Sequence, residues 1–307
     1  MRETAITPEV LAASVIAVPP LARDANFKIC PSENRKIIQH LEAGGVSTLL
    51  YGGNAILYHI ALSEYAGMLE LLQENVSDAT TVIPSVGPAY GLMMDQARIL
   101  REFKFPTAMI LPQRDLCTPA GIATAVRNFV DVFDRPAVLY IKHEGWIDVP
   151  TVAKLMADGC LSWIKYAIVR ENPSNDDFLR TLCDEVDPTK IVSGIGEQPA
   201  IAHLRTFELG SFTSGCVCVA PRLSMTMLDA IKDGRDADAE KIRQQFAELE
   251  ALRNAINPVR VLHRAVSLAG IAESGPITPL LSELPSENIS DVQSAARTLL
   301  EVERATA

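Results

Sequence analysis

Lys165 stands inside an apolar run, Leu161-Ser162-Trp163-Ile164-Lys165-Tyr166-Ala167-Ile168-Val169, that otherwise reads as a buried parallel strand. A cation there is costly unless the strand end opens into a cavity or the amine is used unprotonated. An unperturbed lysine, with a pKa of about 10.4, is neutral in only about one molecule in 2,500 at pH 7. Burial beside Trp163 and Ile164 can lower that pKa by up to about 3 units and turn the amine into a nucleophile for ketones. The alternative is a lysine that snorkels from a strand end or pairs with a carboxylate. Tyr140 precedes Lys165 by 25 residues, about one βα repeat, so the two can sit at similar height on neighbouring strands. A phenol beside an amine can relay protons.

Other polar residues fall at the ends of apolar runs. Gly52-Gly53-Asn54 can present free backbone N–H groups to a carboxylate, or simply make a tight turn. Arg114, Lys142 and His143 follow the fourth and fifth runs, where they can meet the far end of a substrate; Arg114 can instead pair with Asp115. Gly194 closes the seventh run, and Thr213 and Ser214 lie in the eighth.

These residues need a scaffold that brings run ends together. The candidate strands are Ser14–Val18, Ser47–Tyr51, Thr80–Pro84, Thr107–Leu111, Ala137–Ile141, Trp163–Ile168, Lys190–Val192 and Phe212–Val219. They begin every 22–33 residues, the repeat of a (β/α)8 TIM barrel, whose active site forms on the loops after the strands. Helices are expected over Ser32–Ala43, Ser63–Asn75, Pro119–Phe133 and Ser174–Val186, the serines and early acidic residues favouring helix starts. From about Ser224 onward no strand is expected, and Asp236–Ala255, Pro258–Ala269 and Ser290–Ala305 read as three helices. The expected division is a barrel over 1–223 and a C-terminal helical extension over 224–307. A doubly wound open sheet would want a GxGxxG turn after an early strand, and none occurs.

At 307 residues and 48% hydrophobic, the chain is large enough for one such barrel. The formal charge of −10 argues against nucleic acid or an anionic membrane as a partner, though not against a small anionic substrate. Six cysteines form no CxxC pair and five histidines show no HxxxH or HExxH spacing, so reduced core thiols and no metal site are expected. Cys216 and Cys218 are expected to share one face of the eighth strand. The run Ala12–Val18 is too short for a signal segment and ends in Pro19-Pro20, so a cytoplasmic protein is expected.

Taken together these residues resemble the dihydrodipicolinate synthase / N-acetylneuraminate lyase family of class I aldolases and dehydratases. The resemblance runs over nearly the whole chain. It is carried by Ala17-Val18-Pro19-Pro20-Leu21 through Asp24, Val138-Leu139-Tyr140, Trp163-Ile164-Lys165, Ser193-Gly194, the stretch from Ser214 to Pro221 and the helical C-terminus. It implies a (β/α)8 barrel with a helical extension, a Schiff-base lysine at Lys165, a proton-relaying tyrosine at Tyr140, and a homotetramer or homodimer.

The departures are informative. The family's strand-2 Gly-Thr-Thr-Gly-Glu reads here Gly52-Gly53-Asn54-Ala55-Ile56, so Asn54 and backbone amides must replace two carboxylate-binding hydroxyls. The synthase's Pro-Tyr-Tyr reads Pro112-Gln113-Arg114, and the segment after Tyr140 reads Ile141-Lys142-His143-Glu144-Gly145-Trp146 in place of Asn-Val-Pro and an arginine. Neither lysine biosynthesis nor typical sialic acid cleavage is expected. Thr213-Ser214 is similar to the double serine of keto-deoxy sugar acid dehydratases in the family. The expected function is a Schiff-base lyase, aldolase or dehydratase, acting on a 2-oxo acid without a metal or organic cofactor. Two rivals stay open: a keto-acid-binding sensor or scaffold that has lost turnover, and a phosphate-binding barrel using Gly194, Gly196, Gly210 and Gly215.

Overall fold

A computed structural model describes residues 1–306. Eight parallel strands close into a barrel in sequence order: β1 Ile16–Ala17, β2 Thr48–Tyr51, β3 Thr81–Val86, β4 Ala108–Ile110, β5 Ala137–Ile141, β6 Leu161–Tyr166, β7 Ile191–Ser193 and β8 Ser211–Ser214. A short helix, α1 Pro8–Ala12, precedes β1. Between the strands run α2 Pro31–Ala43, α3 Leu62–Asn75, α4 Tyr90–Arg101, α5 Pro119–Phe133, α6 Val149–Ala157, α7 Asp177–Glu185 and α8 Ala200–Thr206. After β8 come α9 Pro221–Lys232, α10 Asp236–Ala255, α11 Pro258–Leu268 and α12 Ile289–Ala305. The expected 223/224 boundary falls in the first turn of α9.

Local chemistry sets these limits. Thr118 caps α5 by accepting the Gly121 N–H at 3.1 Å, ahead of Pro119 in the first turn. The seventh helix starts three residues later than Ser174 because Asp176 caps it, its Oδ1 accepting the Leu179 N–H at 3.1 Å. The expected start of α2 at Ser32 moves to Pro31, with Cys30 at the cap. β6 ends at Tyr166, after which Ala167 N–H still donates to Ile141 O at 2.8 Å and the chain turns away, leaving Val169 exposed.

The eighth strand stops at Ser214 rather than running to Val219. The Ser214 hydroxyl accepts the Val217 N–H at 3.0 Å and folds Cys216–Cys218 into a 3-10 turn. Cys216 and Cys218 are therefore buried in a turn and do not share a strand face. The cysteines among the described residues are free.

The core has two parts. The barrel and its surrounding helices pack one large apolar cluster. A second gathers Val219, Leu223, Phe246, Leu249, Leu262, Val292 and Leu299, and so fastens α10 to α12 onto the end of β8 and α9. Among the described residues no helix is long and apolar enough to cross a membrane.

Candidate active site

β5 and β6 pair with Tyr140 opposite Lys165. Side chains alternate along a strand and paired residues share a face, so both point to the barrel interior. The neighbouring Tyr166 points outward, donating to Asp176 and stacking on Phe178 of α7. Lys165 is 6% exposed, and its Nζ lies 4.7 Å from the centroid of the Tyr140 ring.

The low polarity of this wall sets the protonation of both groups. Burial pulls the Lys165 pKa down to about 7, and the nearby charges of Lys142 and Arg253 push in the same direction. Burial raises the Tyr140 phenol to about 12, which the Arg253 charge opposes. Near neutrality the pair therefore holds a substantial fraction of free amine beside a protonated phenol, a nucleophile next to a proton donor. Tyr58, in the 3-10 turn Leu57–His59 after β2, lies close enough to Tyr140 for Tyr140 to add to the burial that raises the Tyr58 phenol.

In the closed ring β2 lies opposite β6. The turn after β2 is held by Leu57 N–H donating to Gly52 O at 3.1 Å and Ile56 N–H donating to Gly53 O at 2.9 Å. The Asn54 side chain donates to Val18 O at 3.0 Å, which ties the turn to the end of β1. The backbone N–H groups of Gly53 and Asn54 have no acceptor among the described residues. Gly52 packs closely against β3 and β4, where a Cβ would meet Met109 Cε at 2.7 Å and Ser85 Oγ at 3.0 Å.

The β7 end is equally tight. A Cβ on Gly194 would lie 2.8 Å from Tyr166 O and 3.0 Å from Lys165 Cγ, so the glycine makes room for the lysine. Val192 pairs with both Lys165 and Ser211, so Thr213, two residues beyond Ser211, shares the interior face. Ser214 faces the helices, against Glu197.

Arg114, Lys142 and His143 gather on the rim after β4 and β5. Arg114 and His143 line a cleft of about 290 Å³ with Trp146, whose Nε1 donates to Gln113 O at 2.7 Å. Desolvation and the Lys142 and Arg114 charges hold His143 below its ordinary pKa. A larger cleft of about 880 Å³, bordered by Tyr90 and Leu116, contains none of the expected site residues.

Sequence reading missed one group near the amine. Arg253 comes from α10, and its Nη2 donates to Ile195 O at 2.6 Å. Glu250, one turn earlier, accepts the Glu197 N–H at 3.0 Å, and Glu197 accepts the Ser224 hydroxyl at 2.8 Å. Burial raises both carboxyls, Glu250 to about 8. The only sequence signal was Glu197 following Gly194-Ile195-Gly196 at a strand end; Arg253 sits in an unremarkable charged helix.

No protein-family model matches the sequence, and a search of curated proteins finds no match. Solved structures do match. Dihydrodipicolinate synthase from Bacillus clausii is similar at a TM-score of 0.81 with 20% identity, over 95% of this chain and 98% of that one. A catalytic lysine mutant of Ruminococcus gnavus sialic acid aldolase is similar at a TM-score of 0.84 with 16% identity, over 100% of both chains. YagE, a prophage protein of the dihydrodipicolinic acid synthase family from E. coli K12 solved in complex with pyruvate, is similar at a TM-score of 0.80 with 18% identity, over 93% of this chain and 98% of that one. The chain thus has the fold of the dihydrodipicolinate synthases and sialic acid aldolases, in a form whose sequence has diverged far from theirs.

Proposed function

We propose that this chain is a Schiff-base lyase of the dihydrodipicolinate synthase / N-acetylneuraminate lyase family, an aldolase or dehydratase acting on a 2-oxo acid. The observation that carries the reading is the buried Lys165 amine, 4.7 Å from the Tyr140 ring, with its pKa drawn down to about 7. About half the molecules then hold a neutral amine at pH 7.

The neutral amine attacks the C2 ketone to give a carbinolamine, which loses water to form an iminium. Tyr140 donates the proton that the departing hydroxide takes up and later recovers one. The iminium is an electron sink for the adjacent carbon. Either the C4 hydroxyl gives up its proton as the bond between C3 and C4 breaks, releasing a carbonyl fragment and an enamine that then takes a proton at C3, or C3 loses a proton and the hydroxyl on C4 takes one up and leaves as water; hydrolysis then frees the lysine. The backbone N–H groups of Gly53 and Asn54 hold the carboxylate from the opposite wall. Thr213 lines the interior beside the bound chain, with Ser214 behind it. Arg114 and Lys142, with the His143 imidazole beside them, form a basic rim through which an anionic substrate enters, in a soluble homo-oligomer of the cytoplasm.

The test is reductive trapping. Incubation with pyruvate followed by borohydride should add the mass of the reduced pyruvoyl group to Lys165 and to no other residue. Folded protein that gains no adduct with any 2-oxo acid tried would contradict the reading. An adduct without turnover of any aldol or hydroxy acid would favour a keto-acid sensor, the reading to which the altered Gly52-Gly53-Asn54 turn gives its support.

A further inference from the structure

The imine chemistry uses Lys165 and Tyr140 and leaves one buried cation without a task. The Arg253 side chain is only 10% exposed. Its Nη2 donates to Ile195 O at 2.6 Å and its Nε to Asn254 Oδ1 at 3.2 Å. Its Nη1 lies 3.5 Å from Glu250 Oε1 and has no hydrogen-bond acceptor among the described residues. An arginine ion-paired in this way, whose Nη1 makes no hydrogen bond, still has N–H donors to offer a ligand.

Its position relative to the amine follows from the β7 end. A Cβ on Gly194 would lie 3.0 Å from Lys165 Cγ, and a Cβ on Gly196 would lie 2.6 Å from Arg253 Nη1. Those two glycines are separated by one residue, so their α-carbons are at most about 7 Å apart. The guanidinium therefore sits within a small molecule's length of Lys165, on the β7 side, while the Gly53-Asn54 turn faces Lys165 from β2. A ligand whose ketone carbon is fixed at Lys165 has one end toward β2 and the other free to reach Arg253.

The carboxyls behind Arg253 do not fully neutralise it. Glu250 and Glu197 are bridged through the Glu197 N–H, and each leaves a buried oxygen, Oε2, without a partner. Two such carboxyls in one desolvated site resist ionising together. They hold the arginine in place, Glu250 by the ion pair at 3.5 Å, without fully neutralising it.

We propose that Arg253 selects 2-oxo acids bearing a second anionic group, a carboxylate at the end of the chain remote from the ketone. This rests on the imine reading, since Lys165 must fix the ketone for the remote carboxylate to be placed. The Nη1 face and the remaining Nη2 proton supply the fork that a carboxylate accepts. Glu250 acts as a positioning residue for that fork.

The experiment compares pyruvate, 2-oxoglutarate and 2-oxoadipate with 2-oxopentanoate and 2-oxohexanoate, monoacids of matched chain length. Borohydride trapping is followed by mass against ligand concentration. The wild type should be half-saturated by the diacids at roughly tenfold or more lower concentration than by the monoacids. In Arg253→Met that preference should fall to about onefold while the pyruvate adduct persists, which also reports an intact fold; Arg253→Lys should keep part of it. Adducts formed without a diacid preference in the wild type, or a preference unchanged in Arg253→Met, would overturn the assignment of Arg253 alone. Absence of any adduct in the wild type would overturn both the imine reading and this one.

Discussion

The β5–β6 wall and helix α10 both bring charged groups close to the end of β7, and they do so by opposite means. The wall is local and apolar: Tyr140 and Lys165 are register partners flanked by fully buried Leu139, Ile164 and Tyr166. Helix α10 begins 70 residues beyond the end of β6 and brings in Glu250 and Arg253 on the buried face of an otherwise mostly solvated helix. The wall strips water from its amine and lowers its pKa, so the charged form is disfavoured there. On α10 the group whose ionisation is suppressed is the Glu250 carboxyl, which burial raises to about 8. On the proposed reading one region supplies the nucleophile and the other a cation that draws an anionic substrate to it, in a chain whose formal charge is −10.

The largest effect that would break this contrast is at Lys165. Lys165→Met should abolish borohydride trapping and lower any turnover by at least about a thousandfold. The same variant should be more stable near neutrality. Its folded-state pKa of about 7 lies below the unfolded value, so the unfolded chain binds more protons between about pH 7 and 10.4 and stability rises with pH across that window. The penalty for burying the lysine is full below pH 7, on the order of a few kcal/mol, and gone by about pH 10.4. Urea unfolding of the two proteins at pH 6.5 and pH 10 should show the gap closing as pH rises.

Tyr140→Phe comes next. It should lower turnover by about 10² to 10⁴ while still allowing a slowly formed pyruvate adduct, as measured by single-turnover trapping. Equal turnover in the variant would move the proton relay elsewhere, with Tyr58 the nearest phenol to test.

The smallest effect sharpens the α10 side. Glu250 has a folded-state pKa of about 8, above its unfolded value, so the folded state holds the extra proton between about pH 4.5 and 8 and stability falls as pH rises through that window. Glu250→Gln keeps an oxygen to accept the Glu197 N–H. It should leave stability little changed at pH 4 and raise it by about 1–2 kcal/mol at pH 8, read by denaturant unfolding.

The difference between the two regions also explains what could be read from sequence. A lysine in an apolar strand contradicts its surroundings, and so announces itself; Lys165 and its partner Tyr140 were visible on spacing alone. Ala137–Ile141, Pro119–Phe133 and Asp236–Ala255 matched the structure at both ends because their apolar period and their flanking residues agree. Arg253 was hidden because an arginine in Glu-Ala-Leu-Arg-Asn suits an exposed helix, and only the docking of α10 against Ile195 buries it. The stop of β8 was hidden for a related reason. Residues 211–219 have the composition of a strand, and the bend depends on one hydroxyl, Ser214, accepting a particular N–H. The tie of the Asn54 side chain to Val18 O was hidden likewise, since it depends on the close approach of the β1 and β2 ends.

The central claim is that low polarity around Lys165 leaves its amine substantially neutral near pH 7. Protein with ¹³Cε-labelled lysine, titrated by NMR against a Lys165→Met control, measures this without any substrate. The account predicts one lysine resonance with a midpoint near pH 7, absent from the control. A Lys165 resonance that titrates near the ordinary value of about 10.4 would contradict it.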